Sequence, residues 1–94
     1  MKSVDELGYI YEEAKKLLDK REQDYQGSWR EEGLACMVGS LYKKASQIRT
    51  MHENSRLKEN KPRSKEDILD EINYAVFCYR FLDKEEAGGI REEN

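Results

Sequence analysis

Apolar residues recur along this chain at spacings of three and four, the period of one helical face, so the pattern predicts helices over most of its length. Ser3 followed by Glu6 reads as a capping box that opens the first helix, over about 4–23. Leu7, Tyr11, Ala14 and Leu18 place one apolar stripe on it, while Glu12 can pair with Lys16 on the far side. Asp24-Tyr25-Gln26-Gly27 is turn chemistry, and Ser28 with Glu31 repeats the capping box before a second helix, about 29–54. On that helix Leu34, Val38, Leu41, Ala45, Ile48 and His52 make an unbroken row expected to face a neighbouring helix. A second row runs about 140° away through Trp29, Gly33, Cys36, Ser40, Lys43 or Lys44, Gln47 and Met51. Its small, polar middle admits the close approach of a backbone or of a flat ligand.

From Glu53 to Lys65 five basic and two acidic residues surround one large apolar residue, Leu57, which reads as a mobile basic loop. Pro62 is expected to break any helix there, and Ser64, with Asp67 three positions on, to cap a third helix over about 65–82. Ile68, Ile72, Ala75, Val76, Tyr79 and Leu82 form its expected core stripe. Tyr74, Phe77, Cys78 and Phe81 cover the opposite side. A helix apolar all round must be buried all round, and three helices cannot cover both sides. The expectation is therefore an all-α antiparallel bundle of three main helices completed by homo-oligomerisation, with Phe81 at the subunit interface. Residues 1–83 make a single helical domain, and 84–94 an acidic, frayed tail around Gly88-Gly89.

Composition narrows the functions. Ninety-four residues make one domain. Seventeen Lys and Arg against twenty Asp and Glu leave a net charge of −3, which lacks the positive field of a duplex binder, so no nucleic-acid partner is expected. No apolar run nears the ~18 residues of a membrane span, the first residues have no apolar signal core, and Cys36 and Cys78 have no metal-ligand spacing. These features predict no membrane partner and a cytoplasmic location. One histidine, His52, lies on the second helix's seam, where packing or capping explains it better than nucleophilic catalysis, and no phosphate-binding glycine loop is present.

The candidate chemistry is acidic and basic. Asp67, Asp70, Glu71 and Tyr74 fall within about 100° of one another on the third helix, with Glu66 and Asn73 at the edges. An acidic first turn suits the helix dipole and accounts for Glu66 and Asp67. Asp70 instead heads the apolar row of Tyr74, Phe77 and Phe81 and needs a partner, either a cation or a ligand. Mg²⁺ takes oxygen ligands of this kind. Arg30, Lys44, Arg49 and the basic loop offer groups for phosphate oxygens, and Trp29 or Tyr25 a surface on which a base can stack.

Tyr25-Gln-Gly-Ser-Trp-Arg30, Leu41-Tyr-Lys-Lys-Ala-Ser-Gln-Ile48 and Asp67-Ile-Leu-Asp-Glu-Ile-Asn-Tyr-Ala75 together resemble the nucleotide-modification-associated family, small phage and bacterial proteins distantly similar to the MazG-like all-α nucleotide pyrophosphohydrolases. The resemblance spans about residues 20 to 82. It implies a helical oligomer, a phage origin with residence in the cytoplasm of the host bacterium, and a nucleotide-type ligand held by Tyr25, Ser28, Trp29, Arg30, Lys44, Asp70, Asn73 and Tyr74. The hydrolases hold metal with Glu-Glu-x-x-Glu on one helix and Glu-x-x-Asp on the next. Here Glu31-Glu32 is followed by no third acid, Asp67-x-x-Asp70 supplies the second half, and Gln47 stands where related sequences tend to carry Arg. Half a ligand set argues for binding without turnover. The expectation is a homo-oligomer whose second and third helices, from neighbouring protomers, wall a pocket that sequesters a phosphorylated nucleotide or nucleotide-derived signal, with no cofactor required and Mg²⁺ possible. The alternative is a Mg²⁺-dependent nucleoside triphosphate pyrophosphohydrolase with Glu31, Glu32, Asp67 and Asp70 on the metal.

Overall fold

The computed structural model describes residues 2–86, with the side chains of Tyr25 and of residues 84–86 outside that description. Among the described residues the chain is all-helical, as its periodicity predicts: α1 (Ser3–Tyr25), a single turn α2 (Trp29–Glu32), α3 (Leu34–Glu53) and α4 (Lys61–Glu86). The helix ends differ from the sequence expectation for local reasons. Ser3 and Ser28 make no side-chain caps, and α1 starts from Lys2, with Asp5 and Glu6 in the first turn favouring the positive end of its dipole. The second helix is interrupted at Gly33, whose φ of 91° and ψ of 167° leave the helical region and set α2 apart from α3.

The basic segment between α3 and α4 is a structured turn. Ser55 takes a left-handed φ of 57°, the Ser55 amide donates to the His52 carbonyl at 3.0 Å and the Arg56 amide to Met51 at 2.7 Å. These two bonds are a Schellman close of α3. Asn60 then accepts from the Arg63 amide at 3.3 Å, so α4 begins four residues earlier than predicted. Pro62 falls in its first turn, where amides have no intrahelical acceptor and a missing N–H costs nothing. Ser64 is no cap but a buried residue whose hydroxyl donates to the Leu57 carbonyl at 2.9 Å. At the other end α4 passes Leu82 and continues to Glu86, while the tail beyond, residues 87–94, lies outside the described residues.

α4 is the central rod, with α1 and α3 packed on it and sharing little with each other. Both run antiparallel to it: Ala14 lies against Asn73 and Arg21 against Asp70, while α3 sets Met37 against Phe77 and Phe81, and Lys44 against Asp67. The core contains Ala14, Leu17, Met37, Phe77 and Phe81, wrapped by Leu18, Trp29, Leu34, Tyr74 and Cys78. Trp29 stacks on Phe77 with centroids 4.2 Å apart and meets Phe81 edge-on at 5.5 Å.

This packing reverses the expected use of α4. The row Asp70, Tyr74, Phe77 and Phe81 faces inward within one chain, so Phe81 belongs to the core rather than to a subunit interface. The expected core stripe faces outward instead, with Ile68, Val76, Tyr79 and Leu82 exposed and Ile72 half-buried. α3 keeps half of its expected seam: Leu34, Leu41 and Ile48 are half-buried beside the buried Met37, whereas Val38, Ala45 and His52 are exposed. Two effects decide it. Aromatic rings bury more area per residue than the β-branched stripe, and the carboxylates in line with them meet cations from α1 and α3. α1 is covered only over its second half. Leu7 and Tyr11 of its stripe stay exposed, and the radius of gyration, 15.1 Å, exceeds the ~12 Å of a compact chain of this length.

Candidate functional site

The inner face of α4 is charged in its first half and aromatic in its second. Asp67 is 3% exposed and accepts from the Lys44 ammonium at 3.0 Å, with Arg63 at 3.6 Å from its other oxygen. Asp70, 9% exposed, lies one turn on and pairs with Arg21 of α1 at 3.2 Å and with Lys44 at 3.4 Å; Arg21 also bonds Glu66 at 3.1 Å. Three cations thus meet three carboxylates where the three long helices converge. Burial disfavours the Lys44 ammonium, but the hydrogen bond and charge of Asp67, then of Asp70, outweigh it and hold the pKa above its usual value. The same balance, with Asp70 and Glu66 as partners, raises Arg21.

Beyond this cluster, α4, α1, α2 and α3 of a single chain line a half-open cavity of about 210 Å³. Trp29, Phe77, Met37 and Leu18 give it an apolar wall. Asp70, Asn73, Tyr74, Ser28, Ser40 and Arg21 give it polar edges, and Glu22 and Glu32 stand at its rim. Asn73 donates its amide N–H to the Ala14 carbonyl at 3.1 Å, leaving its oxygen as an acceptor. Asp70 uses one oxygen for both cations and keeps the other. Burial, and then the charge of Asp70, raises the Tyr74 hydroxyl, with Lys44 and Arg21 opposing, so it remains a proton donor at neutral pH.

The segment carrying Trp29 is set in place by three unusual backbone positions. Gln26 has φ 50° and Gly27 φ 72°, turning the chain back after α1, and Gly33 redirects it into α3. Gly27 is buried, and a side chain there would overlap the Arg30 guanidinium. That guanidinium lies 4.7 Å over the Trp29 ring, on the exposed side of α2.

Of the residues expected to bind ligand, the structure brings Ser28, Trp29, Asp70, Asn73 and Tyr74 to one cavity. Arg30 stands outside it over Trp29, Lys44 lies beneath it in the ion cluster, and the Tyr25 side chain is outside the described residues. Among the described residues the cavity walls all come from elements of one chain. Trp29 is already stacked on Phe77, so it serves as a wall rather than as a free platform for a base.

The four acids of the hydrolase reading are dispersed. Glu31 and Glu32 are exposed on α2, Glu32 accepting from the Cys36 thiol at 3.3 Å, whereas Asp67 and Asp70 are buried against cations. Among the described residues no three His, Cys, Asp or Glu side chains are grouped so that they could hold a metal ion.

Sequence reasoning missed Arg21, Glu22, Met37 and Phe77 as parts of this site. For Arg21 a signal was present. It continues the row Leu7, Tyr11, Ala14, Leu18 by three more residues, placing a cation at the end of an apolar stripe just as Asp70 heads one on α4.

No protein-family model matches the chain, no curated protein matches its sequence, and no solved structure matches its fold. No described helix is long and apolar enough to cross a membrane.

Proposed function

We propose that the chain binds a nucleotide-type ligand and holds it without hydrolysis, seating the base or sugar in the α1–α4 cavity. The observation that carries this reading is the cavity itself, in which a flat apolar wall of Trp29, Phe77 and Met37 faces the acceptors of Asp70 and Asn73. A flat heterocycle with exocyclic N–H groups, or a ribose with hydroxyls, matches both surfaces.

Two features refine the roles assigned from sequence. At about 210 Å³ the cavity is smaller than the ~300 Å³ at which whole drug-sized ligands are enclosed, so it takes part of a nucleotide and leaves the phosphates outside. Its lining also carries three carboxylates, Glu22, Glu32 and Asp70, against one cation, Arg21, a balance unfavourable to phosphate. Phosphate oxygens would meet the exposed Arg30 at the mouth. Lys44 acts indirectly, neutralising Asp67 and Asp70 beneath the floor.

Turnover would require a metal to neutralise developing charge and orient water, and the carboxylates of the second ligand half are already paired with Lys44 and Arg21. The test is titration calorimetry of the protein with a panel of nucleoside mono-, di- and triphosphates and cyclic nucleotides, with and without Mg²⁺, followed by chromatography of the ligand released on heating. Binding and recovery of unchanged ligand are expected. Ser40→Leu, which fills the cavity, should abolish binding while the fold survives, and Arg30→Ala should weaken it about tenfold, the loss of one charge-assisted hydrogen bond. Heat from no nucleotide, or catalytic release of pyrophosphate or monophosphate, overturns the reading.

A further inference from the structure

α4 turns its most regular apolar stripe to solvent. Ile68, Ile72, Ala75, Tyr79 and Leu82 follow one another at spacings of four, three, four and three, the repeat by which two helices interlock. Nothing else in the described chain covers it: Tyr79 is 71% exposed, Leu82 49% and Ile68 43%. The stripe extends over fifteen residues, fourteen helical steps or about 21 Å of helix.

The stripe is also nearly its own mirror in sequence. Counted from Ala75, apolar residues lie seven and three positions before it and four and seven after it. Laid antiparallel on a second copy, Ile68 meets Leu82, Ile72 meets Tyr79, and the two Ala75 residues face each other. A two-fold interface requires this self-complementarity, because one patch must serve as both surfaces. The smallest residue falls at the crossing point, where two helix backbones come closest.

The flanking charges fit the same arrangement. Lys65 and Asp83 lie eighteen residues apart, five full turns, and so on one side of the stripe. In an antiparallel pair Lys65 of each protomer comes beside Asp83 of the other, which Arg80 of its own chain also holds at 2.7 Å, whereas in a parallel pair these edges fall on opposite sides of the seam and do not meet.

We propose that two copies of this chain associate as an antiparallel α4–α4 pair through the stripe centred on Ala75, on the face opposite the ligand cavity. This relocates the association expected from sequence, whose aromatic face is consumed by the core of each chain, and it does not depend on the ligand reading.

The wild-type protein at micromolar concentration should sediment at about 22 kDa, twice the chain mass of 11.1 kDa. Tyr79→Glu should raise the dissociation constant at least a hundredfold and leave the helical circular dichroism of the monomer unchanged, since that side chain touches little of its own chain. In a Cys36→Ser/Cys78→Ser background, the Ile68→Cys/Leu82→Cys variant should give a covalent dimer with a short bismaleimide and Ile68→Cys alone should not, because only the antiparallel pair brings position 68 to position 82 of the other copy. A wild-type particle of 11 kDa, an association untouched by Tyr79→Glu but broken by Leu7→Glu on α1, or efficient cross-linking of Ile68→Cys alone would each overturn the proposal.

Discussion

The two faces of α4 invert the usual partition of a helix. The inner face buries Ser64, Asp67, Asp70 and Asn73 alongside Phe77 and Phe81, whereas the outer face leaves Ile68, Val76, Tyr79 and Leu82 in contact with water. Apolar content alone does not decide which side a helix buries. The inner face wins because every carboxylate on it has a cation supplied by another helix, and because its aromatic end has Trp29 and Met37 to pack against. The outer stripe has better spacing but no partner among the described residues.

The sharpest way to break this comparison is to remove one member of the ionic half. Asp67→Ala removes the shorter of the two ion pairs of the half-buried Lys44, leaving it Asp70 alone, and should destabilise the fold by about 3 kcal/mol, read as a lower midpoint in urea denaturation. Asp70→Ala should act in the same direction, so a loss of ligand binding in that variant reports folding as well as contact. The aromatic half comes next. Phe81→Ala should cost about 3 kcal/mol, whereas Val76→Ser on the outer face, measured at concentrations low enough to keep the chain monomeric, should change stability by less than about 0.5 kcal/mol. Equal costs at the two positions would mean that both faces are buried.

A smaller effect than the losses at Asp67 and Phe81 sharpens the boundary between the faces. Glu71 lies between them, and one of its carboxylate oxygens is buried without a hydrogen-bond partner. Burial raises its pKa above the ordinary glutamate value. A raised carboxylate pKa means that the folded state holds its proton more tightly than the unfolded chain does. Stability from this group is therefore complete below the ordinary glutamate range and declines as pH rises through the folded-state pKa. Glu71→Met should remove that decline and add about 1 kcal/mol at neutral pH, visible as a flatter profile of stability against pH.

Helicity and the turn at Gly27 were legible from the sequence, because each depends on spacing along one helix or on one residue's backbone freedom; the grouping of Ser28 and Trp29 with Asp70, Asn73 and Tyr74 joins residues about forty positions apart and came only from the family resemblance. The facing of α4 was not. Its two apolar rows have similar strength, and the choice depends on Arg21 and Lys44, forty-nine and twenty-six residues from Asp70, which no local pattern connects to it. The start of α4 was hidden for the opposite reason. Pro62 and the run of charges both signal a break, yet Asn60 caps the helix upstream of them and a proline is tolerated in a first turn.

Asn73 has one more consequence. Its amide spans from α4 to the Ala14 carbonyl on α1, a bond from one rod to a fixed rung of another. Sliding α1 by a single residue would carry that rung about 1.5 Å along its axis and swing it about 100° away, so the bond indexes the two rods to each other. Any breathing of the molecule that keeps this rung engaged must leave α1 and α4 in a single register, moving as one body.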